Sequence, residues 1–380
     1  MKILQVLYYY YPHCSGLTIY VERLGRHLVE RGHEVTVLAS RHDGSFPREE
    51  VTADGVRVVR VPVAFSISRG VVMPTFIPTA TALIREHDIV HLHLPVTEAA
   101  AIAAIAKAFG KGVVLTHHTD LTLPIGKFNQ VAQRAVFVSG LGAGLAADRI
   151  VTYTHDRASV SPFVRKFKKK TSVVYPPVEI DEPTSAGVRA FRDKHGLGDK
   201  PIIGFAGRFA EEKGCDYLLR TIPRVREVFP DVQYVFAGEY LNVIGETLYA
   251  RSQPLLREHR DHVLLLGVLR GDDLVNFYAA STVTTLPSVN FTETFGLVQI
   301  ESMLCGTPVV ASDLPGVREP IRVTGMGLIA TPRDEAGLAN ALIEVMQNRE
   351  KYVRPRTEIA DRFSVEATVD AYERIYRDGS

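Results

Sequence analysis

One stretch, residues 286–312, constrains this chain more than any other, because it reads as strand, loop, helix and strand in direct succession. Its sequence is LPSVNFTETFGLVQIESMLCGTPVVAS. A short β-branched run at Ser281–Leu286 and an apolar run at Pro308–Ala311 predict two strands around it. Between them, apolar residues at positions 297, 300, 303 and 304 follow one helical face. They predict a helix over Gly296–Cys305 that ends at Gly306, where a glycine commonly terminates a helix.

Two carboxylates occupy this stretch, Glu293 in the loop and Glu301 inside the predicted helix. The backbone amides of residues 295–298 lie at the helix N-terminus, where they donate without an acceptor inside the helix and carry the positive end of the helix dipole. A diphosphate fits such a site, and Gly296 allows it to approach without a Cβ in the way. Glu301 is placed to accept hydrogen bonds from a ribose, and Glu293 from a sugar beyond the phosphates. The alternative is that both glutamates are solvated and the glycines only form turns.

The string TETFGLVQIESMLCGTPVVASDLPGVRE resembles the signature of the family 4 retaining glycosyltransferases. One departure from the family is Ser302–Met303, where Ala-Met is usual. The resemblance implies an α/β chain with the GT-B fold, in which two Rossmann-like domains face each other across a cleft. It also implies that the donor sugar nucleotide contacts Glu293, Glu301 and the segment Phe295, Gly296, Leu297 and Val298.

The whole-chain composition is that of a globular protein with two domains: 380 residues, 46% hydrophobic and 23% charged. A net charge of +1 gives no reason to expect a nucleic-acid partner. Three scattered cysteines, Cys14, Cys215 and Cys305, argue against a disulfide framework and favour a reducing compartment. The N-terminus reads as a first strand rather than a signal peptide, and no run of about 18 apolar residues is present. We therefore expect a cytoplasmic protein, with peripheral contact at the cytoplasmic face of a membrane as an option.

Both halves of the chain alternate apolar strands with helical patterns, which predicts parallel sheets covered on both faces. The predicted strands are Lys2–Tyr8, Glu34–Ala39, Arg57–Val63, Asp88–Leu94, Gly112–His117, Arg149–Thr154 and Ser172–Tyr175 in the first half, and Ile202–Ala206, Val232–Gly238 and Val263–Gly267 in the second. A polar stretch after Pro176–Pro177 marks the boundary. We predict an acceptor-binding domain over 1–178 and a nucleotide-sugar-binding domain over 179–362. The resemblance implies that a final helix in 363–380 packs back onto the first domain.

The loop after the first strand lacks the GxGxxG fingerprint, which argues against a nicotinamide dehydrogenase. Ser15–Gly16 matches half of the Gly-Gly pair that family 4 enzymes place near the donor phosphate and acceptor. The resemblance therefore assigns Gly16 to donor binding. The alternative is that Gly16 serves only a turn.

Histidines gather at strand ends in DIVHLHLP and LTHHTD. Catalytic residues of open α/β sheets lie at the carboxyl ends of strands, and the resemblance aligns His118 with the histidine that contacts the donor sugar. His117 would point to the opposite face and pack there. His93 is a weaker candidate for lining the acceptor site, and a core histidine with satisfied hydrogen bonds is the alternative. No further ligand pattern indicates a metal.

Arg208 and Lys213 follow the strand Ile202–Ala206 in the sequence GRFAEEKG. Their charges suit a diphosphate whose negative charge grows as it leaves, although solvated basic residues are the alternative for the pattern alone. The segment matches the GR…KG phosphate motif of the family, which assigns both cations to the donor diphosphate. By the same resemblance, the backbone of Val268 and Leu269 contacts the nucleotide base.

A basic run, RKFKKK, occupies residues 165–170. A solvated helix end is the first interpretation. Contact with anionic lipid is the second, since many relatives use lipid-linked acceptors.

The resemblance implies a retaining hexosyltransferase that moves a sugar from a nucleotide-diphosphate donor, of the GDP-mannose or UDP-glucose/UDP-GlcNAc type, to a hydroxyl of a glycolipid or growing glycan. No Asp-x-Asp motif occurs, so we expect a site without metal or cofactor, in which Arg208, Lys213 and the helix amides carry the electrostatic stabilisation while His118 and Glu293 orient the sugar. The alternatives are a GT-B sugar-nucleotide epimerase or phosphorylase, and a sugar-nucleotide-binding subunit without turnover.

Overall fold

The computed structural model describes residues 1–13, 15–67, 70–122, 126–241, 243 and 247–379. The chain divides into two compact units, the first made of Met1–Pro177 and Val365–Ser380, the second of Val178–Ser364. Cys215 and Cys305 are buried free thiols, whereas Cys14 lies outside the described residues.

The elements of the described residues are numbered in chain order. The strands are β1 Lys2–Val6, β2 Glu34–Arg41, β3 Glu49–Val51, β4 Arg57–Pro62, β5 Phe65–Ile67, β6 Gly70–Val72, β7 Ile89–Leu94, β8 Gly112–His117, β9 Arg149–Thr152, β10 Thr171–Val173, β11 Ile202–Ala206, β12 Gln233–Ala237, β13 Val263–Gly267, β14 Val283–Leu286, β15 Val309–Ser312 and β16 Gly327–Ala330. The helices are α1 Gly16–Glu30, α2 Phe76–Glu86, α3 Ala99–Ala108, α4 Lys127–Ala146, α5 His155–Val160, α6 Ser185–Lys194, α7 Cys215–Arg220, α8 Ile222–Arg226, α9 Leu248–Glu258, α10 Asp272–Ala280, α11 Leu297–Leu304, α12 Glu319–Thr324, α13 Glu335–Gln347, α14 Arg349–Tyr352, α15 Arg356–Phe363 and α16 Val365–Gly379, with 3-10 helices at Val164–Lys170 and Glu211–Lys213.

The first unit is built on an eight-stranded sheet with the order β10-β9-β8-β7-β1-β2-β4-β3. Its strands are parallel except β3, which pairs antiparallel with β4 at the edge. Strands β7 and β8 are buried at every position, because helices cover both faces of the sheet. The parallel order brings the carboxyl ends of β1, β7 and β8 to one edge, where polar side chains can meet.

Helix α16 belongs to the first unit, although it follows the second unit in the chain. It packs on α1 and β8. Its inner face carries two fully buried tyrosines, Tyr372 and Tyr376, spaced four residues apart on one side of the helix. A segment from the far end of the chain therefore completes the first unit.

The second unit is built on a six-stranded, wholly parallel sheet with the order β13-β12-β11-β14-β15-β16. Along β11 the side chains alternate between two buried clusters: Ile203 and Phe205 belong to one, and Ile202 and Ala206 to the other. The order reverses beside β11, since β12 pairs on one side of it and β14 on the other. Ligands of open parallel sheets bind outside the strand ends at such a reversal.

Every predicted strand is present: β8, β11 and β13 have the predicted bounds, and the ends of the others shift by at most two residues. The sequence analysis missed four short strands: β3, β5, β6 and β16. The predicted helix over Gly296–Cys305 is confirmed as α11, and its stop at Gly306 is confirmed by a φ of +81° there. More of α11 is buried than the one apolar face that was predicted, because Gln299, Glu301 and Ser302 are buried as well.

The basic run 165–170 forms most of a 3-10 helix. Its last residue, Lys170, donates hydrogen bonds to the carbonyls of Leu145 and Ala147 at the end of α4, at 2.9 and 2.7 Å. Carbonyls at the C-terminal end of a helix find no N–H donor within that helix, and Lys170 supplies the donor here. Among the described residues, no helix is long and apolar enough to cross a membrane.

Candidate active site

The centre of the second unit's candidate site is an ion pair between Lys213 and Glu293. Lys213 ends the 3-10 helix that follows β11, and Glu293 lies in the loop between β14 and α11. The two side chains are only 22% and 15% exposed, so water screens their attraction less than at an open surface. Two predicted site residues 80 positions apart thus meet at the strand-order reversal.

Glu293 also accepts hydrogen bonds from the backbone N–H groups of Thr294 and Phe295. Burial alone would raise the pKa of this carboxyl, but the charge and hydrogen bond of Lys213, together with the two amides, outweigh burial and hold the pKa below its usual value. The prediction of unoccupied amides over residues 295–298 is therefore corrected at Phe295, whose N–H already bonds the carboxylate. Leu297 and Val298 form the first turn of α11, where a helix has no acceptors of its own.

Two glycines set the backbone of this site. Gly214 has a φ of +71°, and a Cβ there would lie 2.0 Å from the carbonyl oxygen of Pro287. Gly296, at the N-cap of α11, has a φ of +81°, and a Cβ there would lie 2.2 Å from Leu286. Both positions therefore require glycine for the chain itself. For Gly296 this backbone requirement is separate from the prediction that the missing Cβ lets a ligand approach.

Arg208 lies near this pair in the chain but has a different partner. Its Nη2 donates to Glu212 at 2.8 Å, four residues further on, and its side chain is 43% exposed. Glu212 is itself tied to the β14–α11 loop, because its carbonyl accepts the N–H of Val289 at 3.0 Å. Two cations and two carboxylates therefore balance in charge, and a diphosphate must compete with Glu212 and Glu293 for the cations. The partly exposed Arg208–Glu212 pair contributes about 0–1 kcal/mol, so Glu212 competes weakly for Arg208. The less exposed Lys213–Glu293 pair is screened less, so Glu293 competes more strongly for Lys213.

The predicted nucleoside residues lie along α11 and the end of β13. Glu301 is buried, and its Oε2 accepts a hydrogen bond from the hydroxyl of Tyr278 at 3.0 Å. Tyr278 belongs to an apolar cluster against which Leu269 and Val298 pack. Val268, by contrast, is 57% exposed. The structure thus brings Leu269, Val298 and Glu301 to one cluster.

The first unit gathers the predicted histidines into a buried hydrogen-bonded chain. His93 and His118 share a hydrogen bond of 2.9 Å between Nδ1 and Nε2, respectively. The other nitrogen of His93 bonds the Gln5 side chain at 3.1 Å, and the other nitrogen of His118 bonds the hydroxyl of Tyr153. Burial lowers the pKa of His118 well below its usual value, and the neighbouring imidazoles of His91 and His117 act in the same direction.

The orientation of the Gln5 amide in the structure sets the tautomers of both histidines. With Gln5 Oε1 as acceptor, His93 Nε2 carries a proton and donates to it, so His93 Nδ1 accepts from His118 Nε2. His118 Nδ1 then accepts from Tyr153. Both ring nitrogens of His118 are engaged by the protein, so a direct sugar contact at its ring requires one of these bonds to open.

Sequence reasoning missed several partners in both units. Tyr153 and Gln5 hold the histidine chain, Tyr278 holds Glu301, and Glu212 holds Arg208. A parallel set joins His91 to Tyr376 at 2.8 Å and to Thr116 at 2.7 Å. Only Glu212 carried a sequence signal, because it lies four residues after Arg208.

Two other predicted positions are placed as follows. His117 stacks on Phe163 with 5.0 Å between ring centroids and pairs with Asp120 at 3.3 Å, which confirms its prediction as a packed residue. Gly16 is the exposed first residue of α1, and Ser15 caps that helix by accepting the N–H of Thr18. A Cβ at Gly16 would meet nothing within 4 Å, so the fold itself does not require glycine there.

Histidine, cysteine, aspartate and glutamate side chains do not gather in threes with metal-binding geometry anywhere in the described part of the chain.

We expect the Lys213–Glu293 pair to make stability depend on pH. A carboxyl whose folded pKa is depressed stabilises the fold above its unfolded value, near the usual 4.5, and that contribution is lost as pH falls through the folded pKa. Glu293→Gln should lower the free energy of unfolding by about 1–3 kcal/mol at pH 7, with a smaller difference below pH 4.5. Urea denaturation followed by circular dichroism measures both. Glu211→Gln is the matched control, because its pair with Arg251 is exposed on both sides, and equal losses in the two variants would contradict the expectation.

In a comparison with known proteins, each of the two units is matched by a family model. A family model for "Glycosyltransferase Family 4" matches residues 14–182, and one for "Glycosyl transferases group 1" matches residues 188–362. Only residues 1–13, 183–187 and 363–380 fall outside the two matched ranges.

Curated relatives match over nearly the whole chain. A phosphatidyl-myo-inositol mannosyltransferase of Mycobacterium leprae is 28% identical over 99% of this chain and 96% of its own length. A D-inositol 3-phosphate glycosyltransferase of Thermobifida fusca is 27% identical over 96% of this chain and 88% of its own. Among solved structures, Alr3699/HepE of Anabaena, in complex with UDP-glucose, superposes with a TM-score of 0.79 at 20% identity, covering 99% of each chain. This chain belongs to glycosyltransferase family 4: it is a hexosyltransferase that uses nucleotide sugars, with two Rossmann-like units of the GT-B fold class.

Proposed function

We propose that this protein is a retaining glycosyltransferase that moves a hexosyl unit from a nucleoside-diphosphate sugar to a hydroxyl of a glycolipid or growing glycan. The observation that carries the proposal is the Lys213–Glu293 pair at the N-terminus of α11. GDP-mannose is the first donor to test, because the Mycobacterium leprae relative is named a mannosyltransferase and a Mycolicibacterium smegmatis relative, 27% identical over 88% of this chain, is named a GDP-mannose-dependent one. UDP-glucose and UDP-GlcNAc are the second.

In this proposal the second unit binds the donor. Lys213 and Arg208 take the diphosphate, and the first-turn amides of α11 add donors where the helix dipole is positive. Glu301 takes the ribose, with Leu269 and Val298 beside the base. Glu293 accepts hydrogen bonds from the hexose, and its bond to Lys213 keeps a carboxylate next to a diphosphate without net repulsion.

The first unit binds the acceptor, in residues 1–178 with the helix of 363–380. His118 orients the hexose, and Gly16 admits the donor phosphate near the start of α1. His93 is hydrogen-bonded to His118 and lines the acceptor site.

The reaction exchanges one bond for another at the anomeric carbon. The bond from that carbon to the donor phosphate oxygen breaks, and the nucleoside diphosphate leaves with the electron pair. The acceptor oxygen bonds the same face of the carbon, and its proton passes to the leaving phosphate. Lys213 and Arg208 stabilise the charge that grows on the phosphate, so the proposed reaction uses neither a metal nor a cofactor.

Four cations of the basic run 165–170 remain exposed, namely Arg165, Lys166, Lys168 and Lys169. They support peripheral contact with anionic lipid in a cytoplasmic enzyme, since each basic residue near such a surface contributes about 1 kcal/mol.

Incubation with radiolabelled UDP-, GDP- and ADP-hexoses tests the reaction class. We expect slow release of free sugar and nucleoside diphosphate from one donor, unchanged by EDTA, and a transferred product with the anomeric configuration of the donor by NMR. An altered sugar without release would indicate an epimerase. Binding by thermal shift without turnover would indicate a non-catalytic subunit.

Lys213→Ala and Glu293→Ala should each reduce turnover by about 10²-fold, the usual loss for one preorganised electrostatic contact. Lys194→Ala is the matched control, because it removes a cation that forms an exposed pair with Asp273 in the same unit. Near-normal rates in both site variants would refute the assignment.

Tyr153→Phe should lower kcat about tenfold and leave KM for the donor unchanged, because it removes the hydroxyl that donates to His118 Nδ1 and leaves the proposed donor-binding residues of the second unit unaltered. Tyr376→Phe is the control, since its hydroxyl bonds His91 and not His118. If both variants lose turnover equally, Tyr153 has no positioning role beyond the shared network.

Replacing Arg165, Lys166, Lys168 and Lys169 by glutamine should abolish co-sedimentation with vesicles that contain 30% phosphatidylserine, roughly the loss of four basic contacts. Purely neutral vesicles are the control. Equal sedimentation of wild type and variant would remove the lipid contact from the proposal.

A further inference from the structure

The first unit contains a cavity of about 420 Å³ beside His93, which we call the tyrosine cavity. Its apolar wall is formed by Tyr8, Tyr9, Val71, Val72, Phe128 and Val136. Ser15 and Leu17, on either side of Gly16, also line it. The cavity therefore reaches the start of α1 and the histidine chain, where the proposed function places the acceptor, and its volume lies in the range of small-molecule sites.

The lining of this cavity includes one carboxylate, Glu98, and two histidines, His13 and His93. Among the described residues that line it, none is Lys or Arg, whereas Glu98 is present. Tyr8 donates from its hydroxyl to Glu98 Oε2 at 2.5 Å and accepts the backbone N–H of Thr97 at 2.9 Å. Tyr8 is thereby fixed as a donor to the carboxylate. The carboxylate keeps lone pairs for a further hydroxyl donor.

Two buried arginines of the first unit are already paired with carboxylates, and the first is Arg60, whose Nη2 contacts Glu50 at 2.6 Å. Arg157, whose side chain is 3% exposed, donates to Asp120 Oδ2 at 2.8 Å. Asp120 Oδ1 also accepts from the hydroxyl of Ser161 at 3.0 Å. Asp120 immediately precedes Leu121, which lines the tyrosine cavity. Arg157 is therefore held by a carboxylate and does not offset Glu98.

A phosphorylated acceptor fits this wall poorly. A phosphate monoester carries a charge of about −1.5 to −2 at pH 7 and is normally bound by arginine or lysine. Next to Glu98 and without a free cation, it would lose its hydration and gain repulsion. A glycoside has hydroxyls for Glu98 and an apolar ring face for the tyrosines, and an alkyl group would cover the valines.

We propose that the tyrosine cavity binds the acceptor and selects an uncharged glycoside with an apolar aglycone over a phosphorylated polyol. This acceptor preference rests on the proposed function. It would distinguish the chain from its Thermobifida fusca relative, which is named for D-inositol 3-phosphate.

The test compares hexyl β-D-glucopyranoside with D-myo-inositol 3-phosphate on the full-length protein, by isothermal titration calorimetry and by transfer from the donor that the hydrolysis assay identifies. Hexyl glucoside should bind and accept sugar at least tenfold better. Preference for the phosphate, or binding of neither compound, overturns the proposal. Donor hydrolysis is measured in the same samples, so failure of acceptor selection is distinguished from failure of the transferase assignment.

Ala132 on α4 lines the cavity, and Ala135 on the same helix is exposed and does not. Ala132→Lys should weaken hexyl glucoside binding at least tenfold and strengthen that of the inositol phosphate. Ala135→Lys adds the same charge and should change neither, nor donor hydrolysis. Circular dichroism melts verify that both variants are folded. Identical binding by the two variants would place the acceptor elsewhere.

Discussion

The contact between Lys213 and Glu293 organises the second unit's site, because it joins the segment after β11 to the segment before α11. The left-handed Gly214 packed under Pro287 and the backbone bond from Val289 to Glu212 hold the same two segments together. The carboxylate also occupies amides at the entrance of α11, where a helix favours negative charge. Protein contacts alone therefore hold the Lys213 ammonium in place, and its charge is balanced by Glu293.

The first unit uses a different arrangement, a neutral network of imidazoles, hydroxyls and one amide. Buried polar groups cost free energy unless they are bonded, and here each imidazole nitrogen of His91, His93 and His118 has a partner. Because these rings are neutral, their positions do not depend on charge balance in the way that Lys213 does. Burial and hydrogen bonds alone therefore hold the imidazole of His118 in place at the strand ends.

Much of the fold could be predicted from the sequence, because parallel strands buried on both faces appear as largely apolar runs such as β11 and β12. The missed strands are short: β3 lies at the sheet edge with two glutamates, and β16 begins with a glycine. The candidate site was predictable where a charged residue stands in a motif, as at Lys213 and Glu293. The tyrosines that orient Glu301 and His118 are distant in sequence and follow no spacing, so only the folded chain reveals them. Helix α11 was predicted with one apolar face because its buried polar residues find partners outside the helix, as Gln299 does at the carbonyl of Val317.

Helix α16 has a consequence for biosynthesis. The first unit contains residues 1–177 but also needs 365–379, whose tyrosines bond Thr116 and His91. The second unit is continuous in the chain, so it can acquire its full set of contacts earlier during translation. On the ribosome the amino-terminal sheet must therefore wait, partly uncovered along α1 and β8, for a segment made after the other unit is complete. Chaperone contact during that interval would be directed at the half of the protein that is synthesised first.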